Sequence, residues 1–287
     1  MQQNDVILQK ERDFSQIFND IVIFFQQNWR RLFYLIMIYA GPFLLIDGIV
    51  SAYTNSFLFG SMPELFRGDM YSYSQGPEFL TKLFTWYGIM ILVKMIAYTF
   101  LITITYGYMS LYAERGKNFD LNEVRPLALS YFFPVMFGSL LILLIVAIGI
   151  VFCIIPGIYL GICLTFVFAI MLIEKKSFGY AFSQSFRMAH KDFWWTFLIV
   201  LAVGFAVGML SFLISLPMTG SNFMMIFTRA VGDQVDQSQS VLNIMLTTVT
   251  TIIMSLVTIF PMIAVSLQYF NIVEREKKRI QHQNQTA

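Results

Sequence analysis

The chain has 287 residues, of which 57% are hydrophobic, 17% aromatic and only 13% charged, with a formal net charge of +2. Soluble domains carry about 25% charged residues, so a mean hydropathy of +0.67 leaves too little polar surface to cover a water-soluble globule and makes the bilayer its solvent. The net charge is small, its arrangement matters more than the total, and no nucleic-acid partner is expected.

Residues 1–13, "MQQNDVILQKERD", form a polar N-terminal segment without the early apolar run of a secretory signal. In the following "FSQIFNDIVIFFQQNWRRLF", Phe14, Ile17, Phe18, Ile21, Val22 and Phe25 recur at helical spacing, with Ser15, Gln16, Asn19, Asp20 and Gln26 opposite. Asp13 is placed to cap this helix. An amphipathic helix of this kind lies in the membrane interface.

Six segments are long and apolar enough to span: Leu32–Tyr53, Leu83–Tyr112, Phe132–Ile154, Gly157–Ile173, Phe193–Pro217 and Val241–Phe270. The connections alternate in charge. Lys10, Arg12, Arg30 and Arg31 fall on one side, followed by Arg115, Lys117 and Arg125, by Lys175, Lys176, Arg187 and Lys191, and by Arg275, Lys277, Lys278 and Arg279. The other side holds only Arg67, Lys82 and Arg229. The positive-inside rule therefore predicts both termini to be cytoplasmic. Thr54–Lys82 and Met218–Ser240 are expected as long outer loops, and Pro156-Gly157 as a tight reversal between two helices. Residues 14–273 are read as one six-helix transmembrane domain, and 274–287 as a basic, polar cytoplasmic tail, disordered around His282.

An internal repeat joins the halves. "FGYAFSQSFRMAHKDFWWTF" (178–197) aligns without a gap on 14–33: Phe14 on Phe178, Phe18 on Phe182, Phe33 on Phe197. Each copy is an amphipathic helix leading into a spanning helix, and Trp29, Trp194 and Trp195 sit where aromatic rings favour the headgroup level. His190 aligns with Gln26, which makes it a surface residue and not a catalytic base. A third copy at 120–137 carries Pro126 and Pro134. The expected fold is all-α: a polytopic membrane protein of six transmembrane helices, two or three interfacial helices and a parallel threefold hairpin repeat.

No nucleotide, hydrolase or metal-site motif is present. Cys153 and Cys163 lie in apolar runs and read as packing residues. No catalytic residue, metal or cofactor is expected. The polar candidates are the two intramembrane charges, Lys94 and Asp47, and the threonines Thr250 and Thr251 of the last span. At ~1.5 Å per residue, Lys94 is ~18 Å below Lys82, and Asp47 is ~24 Å above Arg31, about 6 Å from the outer surface. Thr250 and Thr251 match the depth of Lys94 better. Lys94 is therefore expected to face the last helix, with Asp47 its second choice.

The stretch "IIPGIYLGICLTFVFAIMLIEKKSFGYAFSQSFRMAHKDFWWTF" carries Ile155-Pro156-Gly157-Ile158-Tyr159, Leu164 with Phe166, Glu174, Ala181, Ser185 and Phe193-Trp194. With these features, and the opening "FSQIFNDIVIFFQQNWRRLF", the chain resembles a bacterial group of polytopic membrane proteins. That group includes the membrane domain fused to some glycerophosphoryl diester phosphodiesterases. The resemblance implies a bacterial cytoplasmic membrane and assigns no catalytic position. The expected function is a non-enzymatic module that organises membrane lipids or partner membrane proteins. The alternative is a transporter or permease for a small or amphipathic solute.

Overall fold

The computed structural model describes residues 6–67, 76–231 and 237–286, and every regular element among them is helical. The helices are α1 (Phe14–Tyr39), α2 (Gly41–Arg67), α3 (Gly76–Arg115), α4 (Val124–Phe152), α5 (Ile154–Cys163), α6 (Val167–Ile173), α7 (Phe178–Lys191), α8 (Phe193–Ala230), α9 (Gln237–Val257) and α10 (Ile259–Thr286). Among the described residues, five helical stretches are long and apolar enough to cross a membrane. A sixth is added if α1 and α2, sharply bent at Ala40, count as one span. This is the all-α class expected from the composition.

Several expected boundaries are corrected. The first span, Leu32–Tyr53, is not one helix. The chain breaks at Ala40, whose carbonyl accepts the first hydrogen bond of α2 from Leu44 (2.8 Å). The break falls beside Gly41-Pro42, and proline fits the first turn because its missing N–H has no partner there anyway. The two connections expected as outer loops are shorter than expected, since α2 continues to Arg67, α3 begins at Gly76, α8 runs to Ala230 and α9 starts at Gln237. Backbone hydrogen bonds carry a helix through polar sequence. Only 68–75 and 232–236 of the expected loops lie outside the described residues. The tail is also helical, as α10 runs to Thr286.

The reversal between α4 and α5 occurs at Cys153, which is extended (φ −171°, ψ 146°), and Pro156 falls in the first turn of α5. Two glycines allow the hairpin to close. A Cβ on Gly157 would lie 2.3 Å from Ile150 Cγ1 and 2.8 Å from Ile150 N, and one on Gly149 would lie 3.0 Å from Gly157 Cα. The third repeat copy has no separate interfacial helix: α4 is unbroken through Pro126 and Pro134. A capping box of Asp120 and Glu123 precedes it.

The chain divides into two compact units. The first comprises Met1–Tyr39, Thr99–Val207 and Thr258–Ala287. Its core includes Ile17, Ile21, Phe24, Leu32, Leu35 and Ile36 of α1 and Leu101, Ile104 and Met109 of α3, together with buried polar side chains such as Thr103, Gln268 and Asn271. The buried stripe of α1 is rotated from the expected one, with Phe24 inside and Val22 half exposed. Asn28 is fully buried on that stripe and accepts from Tyr108 Oη (2.8 Å). Arg12 is fully buried as well. Its guanidinium donates to the carbonyls of Ile7, Leu8 and Lys10 and to Asp20, which folds the N-terminal segment around one side chain.

The second unit comprises Ala40–Tyr98 and Gly208–Val257. Among its described residues, Asp47, Ser51, Thr54, Asn222, Asn243, Thr247, Thr250 and Ser255 are buried, while Leu45, Ile46, Ile49, Phe84, Ile91 and Leu92 are exposed. An apolar exterior around a polar seam suits a hydrocarbon solvent, where polar groups must find partners inside the protein.

Candidate functional site

The two intramembrane charges meet. Lys94 Nζ of α3 donates to Asp47 Oδ2 of α2 at 3.1 Å, and Ser51 Oγ, one turn along α2, donates to Asp47 Oδ1 at 3.3 Å. The Asp47 side chain is wholly buried, whereas that of Lys94 is 40% exposed. The expected order of partners is thus corrected: Asp47 holds the ammonium, and Thr250 and Thr251 are not bonded to it. Arg31 and Asp47 do not lie on one straight rod. With the break at Ala40, Asp47 lies only about 9 Å along α2 from its start.

Thr250 is buried and Thr251 half-buried, and the Thr251 carbonyl accepts from Ser255 Oγ (2.9 Å). These threonines belong to the α9 seam without touching the ion pair. Its polar centre lies elsewhere. Asn243 Nδ2 donates to Asn222 Oδ1 (2.7 Å) and to Ser221 Oγ (3.2 Å), and Asn243 Oδ1 accepts from Ser56 and Thr247 (both 3.5 Å). The node joins α2, α8 and α9. A cavity of about 300 Å³ adjoins it, lined by Pro217, Ser221, Met224, Met225, Leu242 and Leu246. Sequence reasoning missed this node because Asn222 fell in an expected loop and Asn243 is a lone amide in an apolar run. Close helix packing supports the seam, since a Cβ on Gly48 would meet Thr248 Cγ2 at 2.9 Å and the Thr248 carbonyl at 3.0 Å.

A second constellation lies in the first unit, where α7 turns into α8. Asp192 (φ −128°, ψ 43°) separates the two helices. The contact face of α7 is Ala181, Ser185, Met188 and Ala189, all buried, and Ser185 Oγ donates to the Cys163 carbonyl (2.6 Å). The expected phenylalanine stripe runs beside that face. Phe178, Phe182 and Phe186 are half-buried, with ring centroids 5.9 and 5.3 Å apart. Small residues bring the helix close to its neighbours, and the rings flank the contact.

Past the end of α7 opens a groove of about 590 Å³, lined by Tyr159, His190, Lys191, Asp192, Phe193, Trp194, Trp195 and Arg275. Trp194 is 73% exposed, and Trp195 is half-buried between the Phe14 ring (6.0 Å, edge-on) and the Arg275 guanidinium (5.5 Å). Arg275 also donates to the Arg12 carbonyl at 3.1 Å. Lys191 pairs with Glu276. Glu11 is held below the usual carboxylate range by its hydrogen bond to Lys278, with Arg275 and Arg279 adding to the effect. His190 is exposed, as a surface residue should be. The third aromatic candidate, Trp29, lies apart from this groove, 45% exposed under the Arg30 guanidinium. Sequence reasoning did not place Arg275 here, because a residue 80 positions downstream leaves no local signal.

Among the described residues, no group of His, Cys, Asp or Glu is placed to hold a metal ion. No family model matches the chain, and neither a curated protein nor a solved structure matches it, so the likeness to the phosphodiesterase-linked membrane domains enters the functional reading as a proposal.

Proposed function

We propose that the protein is a non-enzymatic integral membrane module of the bacterial cytoplasmic membrane, with both termini cytoplasmic, and that it organises lipids or partner membrane proteins. In this reading it shares its architecture with the phosphodiesterase-linked membrane domains. The observation that carries the proposal is α7 with its groove. A helix that seats itself through Ala181, Ser185 and Ala189 leaves a phenylalanine ladder for hydrocarbon and ends at an aromatic, basic groove. This is the composition of an interfacial anchor. The placement of cations on one side of the spans supports the orientation.

A second reading, a transporter for a small solute, is favoured by the second unit. It buries an ion pair and an asparagine node next to a 300 Å³ cavity, and intramembrane polar groups mark solute paths in many transporters. One experiment separates the two. The full chain is reconstituted in phosphatidylethanolamine–phosphatidylglycerol nanodiscs and in vesicles. Co-purifying lipids and proteins are identified by mass spectrometry, and solute flux is measured across the vesicles. The module reading expects lipid or partner retention that falls in Phe182→Asp, with no flux above that of empty vesicles. Saturable flux abolished by Lys94→Met would replace it with the transporter.

A further inference from the structure

Two buried donors in the wall of the α7–α8 groove have no hydrogen-bond acceptor: Trp195 Nε1 and Arg275 Nε. A buried N–H without a partner loses the hydrogen bonds it made to water, and both belong to residues that line the same 590 Å³ space. The nearest acid to Arg275 Nε is Glu11 at 3.5 Å, too long for a hydrogen bond, and Glu11 is already engaged by Lys278 at 2.7 Å. Asp192 stands 3.9 Å from the other side of the guanidinium. The guanidinium is nevertheless fixed, because its Nη2 is tied to the Arg12 carbonyl and its face lies over Trp195. A fixed guanidinium and an indole N–H on two residues of one groove lining suit an anionic oxygen. The groove is many times larger than a phosphate alone, and Trp194 stands exposed on its wall.

We propose that this groove is a seat for the phosphate of a glycerophospholipid headgroup, with Trp195 Nε1 and Arg275 Nε donating to its oxygens and the exposed Trp194 beside the glycerol and chains. The proposal rests on the lipid-organising reading and names its ligand. The shared chemistry is a phosphate ester, and a soluble glycerol phosphate would offer the same oxygens.

The test measures binding of dihexanoyl phosphatidylglycerol, dihexanoyl glycerol and glycerol 3-phosphate to the full chain in detergent. The phosphate-bearing lipid should bind more tightly than either fragment. Trp195→Phe keeps an aromatic ring and removes the indole N–H, and should weaken lipid binding about tenfold. Arg275→Gln should weaken it at least as much, and Trp86→Phe in the other unit should leave it unchanged. If Arg275→Gln fails to fold because the Arg12 contact is lost, Trp195→Phe decides alone. Glycerol 3-phosphate binding as tightly as the lipid would overturn the lipid as the source. Equal binding of dihexanoyl glycerol, or an unaffected Trp195→Phe, would overturn the seat. Native lipid that is retained regardless of both substitutions would leave the module reading standing and remove this site from it.

Discussion

Removing one member of the Asp47–Lys94 pair should be far worse than removing both. At 3.1 Å and an effective dielectric of ~20, the gross attraction is about 5 kcal/mol. Taking one partner from a buried pair costs about 3–5 kcal/mol, because the other charge is left unpaired. Asp47 is wholly buried, so Lys94→Met strands a carboxylate whose remaining partner is Ser51. Lys94 is 40% exposed, and screening at that end brings the expected loss to about 3 kcal/mol. Asp47→Leu strands the lysine, which can reach toward the surface through its exposed side, and should lose less. The double variant Asp47→Leu/Lys94→Met should return to within about 1 kcal/mol of the parent, since an apolar pair of similar volume replaces two desolvated charges. Reversible unfolding in mixed micelles, followed by circular dichroism across the four proteins, gives the coupling energy directly. Additive losses, or a Lys94→Met protein as stable as the parent, would refute the pair as the electrostatic centre of the second unit.

Other outcomes follow from single contacts. Gly48→Val should destabilise the same unit by about 1–3 kcal/mol through overpacking against Thr248, whereas Gly88→Ala, with nothing within 4 Å of its Cβ, should be neutral in the same unfolding assay. Cysteines at Lys117, Lys176 or Lys278 in a Cys153/Cys163-free background should resist an impermeant thiol reagent in intact cells, while cysteines at Asp69 and Asp236, outside the described residues, should label. Labelling at Lys176 would reverse the orientation. The folded protein holds the Glu11 pKa below its ordinary 4.5, so the Glu11–Lys278 contact stabilises the N-terminal segment above that value. The contribution disappears as the pH falls through the lowered pKa. The protection factors of amides over residues 6–13, corrected for the intrinsic pH dependence of exchange, should therefore fall at acidic pH, and Glu11→Gln should remove the acid-dependent part of that change.

Much of the fold is legible in local sequence because a bilayer imposes length and polarity on every spanning helix. The apolar runs and the alternation of Lys and Arg need no tertiary information. The amphipathic period of 178–191 likewise yields a helix that ends at Asp192. The Ala40 break also had a written signal, the Gly41-Pro42 dipeptide, which was outweighed by the hydropathy running across it. Helix ends in polar sequence were harder to read, because "TGSNF" is compatible with both a loop and a helix. The sites were least legible. Lys94 and Asp47 stand out as isolated charges, but their pairing depends on how α2 restarts after the break. Asn243 and Arg275 each take their meaning from residues more than 20 positions away, and no periodicity encodes that.

The second unit is sewn from two stretches, Ala40–Tyr98 and Gly208–Val257, with roughly 110 residues of the first unit between them. At about 5–20 residues per second of synthesis, that interval lasts on the order of 10 s. By its end, α2 and α3 have left the ribosome and α9 does not yet exist. Both ends of the ion pair lie in the earlier stretch, so Lys94 can neutralise Asp47 before the later stretch is made. The asparagine node cannot form so early, as Asn222 and Asn243 both belong to the later stretch. Chain order thus allows the costliest intramembrane charge to be paired first and leaves to the end a contact between uncharged amides, which cost less to leave unpaired than a charge does.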